Sequence, residues 1–299
     1  MKNIINVFER HEIKYMITDE QRKQILRGLE GRMIPDPHGE STICNVYYDT
    51  PDFRLIRRSL EKPKYKEKIR LRSYGTPGED TIVFLELKKK YKGVVYKRRI
   101  ELPEKSAEEY MAGRIGMDEL RKVIAGESCP QIVSELDYFK RFYGSLEPNV
   151  YLCYDRCAYF SEEDESLRIT FDKNIRWRTD RVSLTKGPGG KALLTPETSL
   201  MEIKTSSAMP VWLMKILSEA EARPSSFSKY GRAYQEILAT ALNKKREIEE
   251  RLGKDNDEYI RKHIYSGDTH GAGLRNKHSG STGSWSADRA GIFPQLGSL

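Results

Sequence analysis

The chain has 299 residues, of which 38% are hydrophobic and 32% charged, and a net charge of +8 at pH 7. This length fits one large domain or two small ones, and the positive charge favours an anionic partner. The first residues lack the apolar region of a signal peptide, and no apolar run approaches the roughly 20 residues that a membrane span requires. The four cysteines form no CxxC pair, as expected for free thiols in a reducing compartment. We therefore expect a cytoplasmic protein without a transmembrane segment of its own.

Strands dominate the predicted elements. The first strand is predicted over residues 6–16, and a helix then begins after Thr18, with Gln21 completing a capping box. Gly75 and Gly93 mark turns in a meander of three long antiparallel strands. In chain order, the later strands are predicted over residues 43–50, 66–74, 81–89, 94–102, 149–160, 167–177 and 199–204, and the later helices over residues 55–60, 106–125, 131–144, 210–221 and 229–252.

The composition changes towards the end of the chain. Residues 254–299 are first charged and then rich in Gly and Ser, which is typical of a disordered tail. We therefore assign residues 1–253 to a single domain and residues 254–299 to this tail.

Charged residues occupy every second position in several predicted strands. Side chains two positions apart on a strand point to the same face, and the intervening residues, such as Ile69 and Leu87, are often apolar. These strands therefore have one apolar face and one charged, mostly basic face. The segments are Arg10-x-Glu12-x-Lys14, Lys66-x-Lys68-x-Arg70-x-Arg72, Glu86-x-Lys88-x-Lys90, Lys97-x-Arg99-x-Glu101, Tyr154-x-Arg156, Arg168-x-Thr170-x-Asp172 and Glu202-x-Lys204.

Two interpretations of the charged faces are open at this point. Each face could be the solvated outside of a sheet. Alternatively, strands that close into a barrel would direct the charges into a basic lumen, which would suit a chain of phosphates with its metal. The second interpretation is favoured by a run of four cations, because like charges this close repel each other unless an anion relieves them. That run is Lys66, Lys68, Arg70 and Arg72.

Glu12 and Glu202 are the candidate metal ligands. Mg²⁺ or Mn²⁺ on a phosphate chain takes one or two protein carboxylates and completes its shell with phosphate oxygens and water. Each glutamate has a lysine two positions away, so each could instead belong to an ion pair on a sheet surface. Ser228 precedes the last predicted helix, where a hydroxyl can bind phosphate or cap the helix. Walker A, GxSxG, HExxH and zinc-binding patterns are absent from the sequence, so no residue is a candidate for covalent catalysis.

Eight segments of the chain, in this order, resemble the vacuolar transporter chaperone (VTC) domain. That domain makes polyphosphate and belongs to the triphosphate tunnel metalloenzymes. The resemblance covers about residues 5–245, and its specificity comes from the order of the segments rather than from any one of them. The segments are FERHEIKY (8–15), KEKIRLRSYG (66–75), VFLELKKK (83–90), VVYKRRIEL (94–102), YLCYDRCAY (151–159), LRITFDKNI (167–175), LMEIKTS (200–206) and SFSKYGRA (226–233).

The resemblance implies an α+β fold, with a closed antiparallel β-tunnel of about eight strands, basic residues inside and helices packed outside. It implies an ATP-dependent polyphosphate polymerase that moves the γ-phosphate of ATP onto a growing chain with Mn²⁺ or Mg²⁺. Glu202 matches the metal-binding glutamate of the family, while Tyr154 and Ser228 match its polar substrate contacts. The phosphate-binding lysines and arginines would be Lys14, Arg70, Arg72, Lys88, Lys97, Arg156, Arg168 and Lys229.

The chain departs from its relatives at two positions. Arg10 stands where many tunnel triphosphatases have the first glutamate of a Glu-x-Glu-x-Lys strand, which removes a metal ligand and predicts slow hydrolysis. Arg10→Glu is accordingly expected to raise triphosphate hydrolysis relative to chain synthesis. Ser226 stands where some eukaryotic members have a lysine, so one phosphate contact would be missing. We expect a bacterial-type, single-domain member of the family.

Two alternative functions are open. A CYTH-type inorganic triphosphatase would hydrolyse triphosphate with water and release only orthophosphate. A non-catalytic module would bind polyphosphate or nucleic acid without turnover. The predicted basic faces contain few aromatic residues on which bases could stack, so we expect no specific nucleic acid. The expected partners are ATP and polyphosphate, with a separate membrane protein if the chain lies peripherally at a membrane.

Overall fold

The computed structural model describes residues 11–92, 94–125, 130–206 and 208–264 of the chain. The chain divides into two compact units, Met1–Asn243 and Lys244–Leu299. The first unit contains the sheet and the candidate site. In the described part of the second unit the chain is helical, with ion pairs one turn apart, such as Lys245 with Glu249, which support an exposed helix.

Eleven strands and seven α-helices are present in the described residues. The strands are β1 (His11–Thr18), β2 (Ile34–Pro35), β3 (Ser41–Asp49), β4 (Tyr65–Tyr74), β5 (Ile82–Tyr91), β6 (Val94–Pro103), β7 (Glu147–Phe160), β8 (Arg168–Arg178), β9 (Lys191–Ala192), β10 (Thr198–Thr205) and β11 (Pro224–Ser225). The helices are α1 (Asp19–Leu29), α2 (Arg54–Leu60), α3 (Glu104–Met111), α4 (Met117–Val123), α5 (Pro130–Tyr143), α6 (Val211–Glu219) and α7 (Lys229–Ile264).

One antiparallel sheet contains all the strands, in the order β11-β1-β10-β8-β7-β3-β4-β5-β6, with β2 beside β7 and β9 beside β8. Eight of the strands have eight or more residues, and the predicted α+β fold with a tunnel-like sheet is confirmed. In the described residues the strands do not close the sheet, which differs from the closed tunnel that was predicted. Within the described ranges, β6 and β11 do not pair with each other through the backbone. A side-chain contact connects β5 to β1 instead, where Lys88 Nζ lies 3.7 Å from Glu12 Oε2. The sheet therefore curls around a lumen, which side chains close on this side.

Most of the helices cover the outer face of the sheet through two apolar clusters. Ile25 of α1 and Leu213 of α6 are buried in a cluster with Ile203 of β10. Leu136 of α5 is buried in a second cluster with Leu85 of β5, which also includes residues of α3 and α4. Because alternate residues of a strand point to opposite faces, burying these apolar side chains outside directs the charged ones into the lumen.

The inner face of the sheet is apolar towards one end of the lumen. Leu152 of β7 and Leu200 of β10 belong to a buried cluster with Ile56 of α2 and Tyr230 of α7. The Tyr230 ring stacks on Tyr47 of β3, with 4.5 Å between the ring centroids. We call these five residues the lumen floor. They fill this part of the lumen with packed side chains, so the charged side chains occupy the remainder.

The helix predicted over residues 106–125 is divided in the structure. Helix α3 ends at Met111 and α4 begins at Met117. Gly113 between them adopts φ 75°, a left-handed conformation that typically ends a helix. The predicted capping box of Thr18 and Gln21 is confirmed at the start of α1.

The last helix is longer than the sequence predicted. Helix α7 continues to Ile264, twelve residues past the predicted end at residue 252, although the added segment includes Gly253 and Asn256, which are weak helix formers. Residues 254–264, which we assigned to the tail, are therefore helical, and residues 265–299 lie outside the described part of the chain. None of the helices in the described part is both long and apolar enough to cross a membrane.

Candidate active site

Two charged walls face each other across the lumen. Alternation places both sets of charges inside, because their neighbours along the strands, such as Ile69 and Ile203, are buried in the outer clusters. The cationic wall is formed by β4, β5 and β6, and consists of Lys66, Lys68, Arg70, Arg72, Glu86, Lys88 and Lys97. The carboxylate wall is formed by β1, β7, β8, β10 and the start of α7, and consists of Glu12, Lys14, Tyr154, Arg156, Thr170, Asp172, Glu202, Lys204 and Lys229.

Glu86 is the acidic member of the cationic wall. Its carboxylate contacts Arg70 Nη2 at 2.7 Å and Lys97 Nζ at 2.5 Å, while Arg70 also donates to the Tyr47 hydroxyl at 2.9 Å. Burial on its own would raise the pKa of Glu86, but Arg70, Arg72 and Lys97 hold it well below its usual range. Glu86 is therefore a fixed negative charge that orients the basic side chains around it.

Tyr154 is in contact with cations from both walls. Arg72 Nη2 donates to its hydroxyl at 3.4 Å, and Arg72 Nε donates to Asn45 Oδ1 at 3.0 Å. The guanidinium of Arg156 and the ammonium of Lys229 lie 5.0 Å and 4.5 Å from the ring centroid, within the range of a cation–π interaction. Burial raises the pKa of the phenol, but these three cations outweigh it and lower the pKa. The ring thus fixes three positive charges around one point of the lumen.

Asp172 and Glu202 hold the cations of the carboxylate wall. Asp172 accepts two hydrogen bonds from Arg156, at 2.6 and 2.7 Å, and contacts Lys229 at 2.5 Å. Glu202 contacts Lys229 at 3.4 Å and Lys204 at 3.2 Å. Burial raises the pKa of each carboxyl, but the cations, Lys229 foremost, lower both values below their usual range. Both carboxylates are therefore ionised at neutral pH.

A divalent cation would find oxygen donors at one place on the carboxylate wall. Lys14 Nζ lies 3.3 Å from Glu12 and 3.5 Å from Glu202, so the two carboxylates approach the same point. Thr170 is opposite Glu202 in the register of β8 and β10, and its buried hydroxyl has no hydrogen-bond partner among the described residues. These donors fit Mg²⁺ or Mn²⁺, provided that phosphate oxygens and water complete the shell. In the described part of the chain, no group of three or more Asp, Glu, His or Cys side chains could hold a metal by itself.

The structure brings most of the predicted site residues together in the lumen. Ser228 accepts a hydrogen bond from Lys68 Nζ at 3.0 Å and another from the backbone amide of Gly231 at 3.1 Å, so it both caps α7 and faces the basic side chains. The other predicted residues on the two walls are Glu12, Lys14, Arg70, Arg72, Lys88, Lys97, Tyr154, Arg156, Glu202 and Lys229.

Arg168 lies apart from this group. Half of its side chain is exposed, and Nη2 lies 3.1 Å from Asp36 Oδ2. With Asp36 and Glu162 it lines a separate cavity of about 520 Å³ beside the turn between β7 and β8. Ser226 is exposed, and Arg10 lies outside the described residues.

Several charged residues of the lumen were not predicted as site residues. Alternation placed Lys68, Glu86, Asp172 and Lys204 on the correct face, but it does not show which charges meet. That depends on register, which sets Glu86 directly opposite Arg70. The sequence did not indicate Asn45 as a lumen residue, because most of its neighbours in β3 are apolar and show no alternation of charge.

The comparisons with known proteins identify the family. The sequence profile of the VTC domain matches residues 9–238, and the chain belongs to the VTC domain family. The vacuolar transporter chaperone complex subunit 4 of Trypanosoma cruzi is 26% identical over an alignment of 213 residues, and the match covers 57% of this chain and 26% of that protein. The subunit of the same name from Trypanosoma brucei brucei is 28% identical over an alignment of 161 residues, and the match covers 46% of this chain and 20% of that protein. The chain thus spans about a quarter or less of the length of these relatives.

Two solved structures resemble this chain at low sequence identity. One is a candidate adenylate cyclase from Bacillus halodurans, with 14% identity and a TM-score of 0.46, covering 75% of this chain and 94% of that one. The other is a Hippeastrum protein described as having a dominant triphosphatase activity, with 17% identity and a TM-score of 0.43, covering 73% of this chain and 92% of that one.

Proposed function

We propose that the protein is an ATP-dependent polyphosphate polymerase, which transfers the γ-phosphate of ATP to a growing polyphosphate chain inside the lumen. The observation that supports this most directly is the opposition of the two walls. One has an excess of lysine and arginine, and the other has carboxylates able to share a divalent cation with a phosphate chain. Membership of the VTC domain family supports the same activity.

The basic residues would position the reacting phosphates. Arg70 and Arg72 present guanidiniums, which match phosphate oxygens with two parallel hydrogen bonds. Arg156 and Lys229 face them from the carboxylate wall, held by Asp172. Phosphoryl transfer requires donor and acceptor in line, with the charge of the transferring group stabilised. Cations fixed in advance by ion pairs provide that stabilisation without reorganising during the reaction.

The acceptor is itself a phosphate, so it needs no activation by the protein. A terminal phosphate oxygen of the polymer already carries negative charge at neutral pH, and no general base has to remove a proton from it. This agrees with the absence of a catalytic triad pattern from the sequence. Glu202 and Glu12 would hold Mn²⁺ or Mg²⁺, which would neutralise charge on the phosphates.

The experiment that tests the proposal is incubation of the purified protein with ATP and Mn²⁺ or Mg²⁺, followed by gel electrophoresis for polyphosphate. We expect a ladder of long chains that a polyphosphatase removes, together with an equivalent amount of ADP. If the protein instead releases orthophosphate without extending a chain, leaving ADP from ATP and pyrophosphate from tripolyphosphate, it is a triphosphatase and not a polymerase. Binding of both compounds without turnover would leave a phosphate-binding module.

We also propose a cellular location for the protein. The relatives that match it are named as subunits of a vacuolar transporter chaperone complex, so we propose that a separate membrane protein holds this chain peripherally at the cytoplasmic side of a membrane. Fractionation of cells that express the chain should then recover it with membranes, and carbonate washing should release it. Recovery in the soluble fraction at every ionic strength would contradict this part of the proposal.

A further inference from the structure

Lys66 and Lys68 are the basic residues of the two walls that contact no carboxylate in the described part of the chain, and Lys68 is the one beside the start of α7. Its ammonium donates to the Ser228 hydroxyl at 3.0 Å. Arg70 and Lys97 of the same wall each contact Glu86. By contrast, no carboxylate oxygen in the described part of the chain lies within the 4.0 Å limit of an ion pair with Lys68.

The charges that act most strongly on Lys68 are cationic, although Glu12 contacts two of these cations, Lys14 and Lys88. Lys66 and Arg70 lie along its own strand, Lys88 of β5 is directly opposite in the register, and the charge of Lys14 on β1 also lowers the pKa of Lys68. The start of α7 contributes the Ser228 hydroxyl. Like charges that face each other across a sheet are destabilising, and a half-buried lysine is less screened by water than an exposed one. This repulsion is relieved when an anion enters.

We propose that Lys68 is a further phosphate-binding residue, which forms a phosphate subsite with Ser228 and Lys88, the two neighbours already matched to the substrate. In this subsite a phosphate of the bound polyanion supplies the counter-ion that Lys68 lacks among the described residues. The identity of that polyanion, a polyphosphate chain, rests on the proposed function. The subsite lies on the cationic wall and meets the carboxylate wall at Lys88, whose Nζ lies 3.7 Å from Glu12 Oε2.

A bound phosphate would also change the protonation of Lys68. Burial, followed by the charges of Lys88 and Lys14, lowers the pKa of the amine to about 7. A large fraction of the amine is therefore neutral at pH 8 in the free protein. A phosphate beside it favours the charged form, so the polyanion should bind together with a proton at pH 8. At pH 6 the amine is already charged, and no proton is taken up.

Calorimetric titration with inorganic tripolyphosphate, without divalent cation, tests the subsite directly. Lys68→Met should weaken binding by about tenfold or more at pH 6, because it removes a charge-assisted hydrogen bond. Lys23→Met is the matched control, since it removes one positive charge from the exposed surface of α1. It should change binding by less than about twofold, as expected for a distant screened charge. Equal affinities of the two variants would overturn the subsite.

Proton uptake provides a second test, which does not depend on the Lys68→Met variant folding. Lys68→Arg keeps the positive charge but cannot lose its proton. Titrations in two buffers of different ionisation enthalpy at pH 8 should show that the wild type takes up more protons than this variant, by close to one per tripolyphosphate bound. The difference should vanish at pH 6. Equal uptake at pH 8 would contradict the protonation of Lys68 on binding.

The outcomes separate the subsite from the polymerase. If Lys68→Met weakens tripolyphosphate binding but wild-type protein makes no polymer from ATP, the subsite stands and the proposed function fails. If wild-type protein makes polymer and Lys68→Met binds tripolyphosphate as tightly as Lys23→Met does, the proposed function stands and the subsite fails.

Discussion

The two walls of the lumen differ in how far carboxylates balance their positive charges. On the carboxylate wall, Glu12, Asp172 and Glu202 accompany four basic residues, and each of those basic residues contacts a carboxylate. On the cationic wall, Glu86 accompanies six basic residues on β4, β5 and β6. The carboxylate wall is thus close to electrical balance, whereas the cationic wall has a strong excess of positive charge.

This difference indicates where the negative charge of a ligand is needed. A balanced wall is stable without ligand, and its carboxylates can exchange a lysine contact for a metal ion. An unbalanced wall is under repulsion until an anion binds. The two walls together therefore suit a ligand that brings a cation to one side and free phosphate charge to the other, as a metal-bound phosphate chain does. Four predictions test this comparison.

The largest effect is expected from Glu202→Gln on the carboxylate wall. The substitution keeps the size of the side chain and removes the charge that would hold the metal. Polymer synthesis should fall by about 10² or more at saturating Mn²⁺, measured as chains formed per enzyme. Metal-free binding of tripolyphosphate should persist and report that the lumen is intact. The companion variant Glu12→Gln should lose less activity, because Glu12 is more exposed. The reverse order would make Glu12 the principal metal ligand.

Glu86→Gln tests the cationic wall through stability. Glu86 is 2% exposed, and its loss leaves Arg70 and Lys97 without their buried partner. Breaking a buried ion pair from one side destabilises a protein by about 3–5 kcal/mol, which urea denaturation would measure. Saturating tripolyphosphate should raise the melting temperature of Glu86→Gln more than that of the wild type, because the ligand replaces the missing charge. An equal rise in both proteins would contradict this prediction, because it would show that Glu86 and the ligand do not neutralise the same positive charges.

A smaller effect is expected from Lys68→Met on the ligand-free protein, and it should depend on pH. The pKa of Lys68 is about 7 in the folded state and about 10.4 in an unfolded chain. Between these values the unfolded chain binds more protons, so the stability of the wild type rises with pH. The cost of burying the charged amine and its repulsion by Lys88 and Lys14 are fully present below pH 7 and are relieved as the amine loses its proton. Lys68→Met should therefore be more stable than the wild type by about 1 kcal/mol at pH 6, a gain that shrinks towards pH 10. A gain that is constant with pH would exclude Lys68 as its source.

The smallest effect is expected outside the lumen. Glu135 of α5 contacts Lys89 and Arg98 on the outer face of the sheet. Glu135→Gln should lower stability by less than about 1 kcal/mol, as is usual for partly exposed ion pairs, and should leave polymer synthesis unchanged. A loss of activity in this variant would show that charged residues on the outer face of the sheet also contribute to polymer synthesis.

The sequence predicted the faces of the strands better than the contacts between them. Alternation assigned Arg70, Lys88 and Glu202 to one side of their strands, because side-chain direction has a period of two residues whatever the strand pairs with. The contact of Lys88 with Glu12 joins β5 to β1, which are far apart in the sequence. It depends on the curvature and stagger of the whole sheet, and no local pattern contains that information.

Burial was the second property that the sequence did not reveal. Lys68 and Lys90 look alike in the alternating pattern. In the structure Lys68 is half-buried beside Ser228, whereas Lys90 is exposed near the end of β5. The difference arises because α7 begins against β4, a packing arrangement that the helix sequence does not specify. The resemblance to the VTC domain supplied most of the candidate residues, since it carries the positions that a tertiary structure brings together.

The lumen floor and the charged walls are built on the same strands. On β10, Leu200 belongs to the floor and Glu202, two residues further, belongs to the carboxylate wall. Leu152 and Tyr154 have the same relation on β7. Same-face positions on a strand lie about 6.5–7 Å apart. Exchanging an apolar for a polar side chain at one such position would therefore change the depth of the polar compartment by about this distance. A protein of this architecture can therefore acquire a shallower or deeper compartment through single substitutions, while every backbone pairing stays in place.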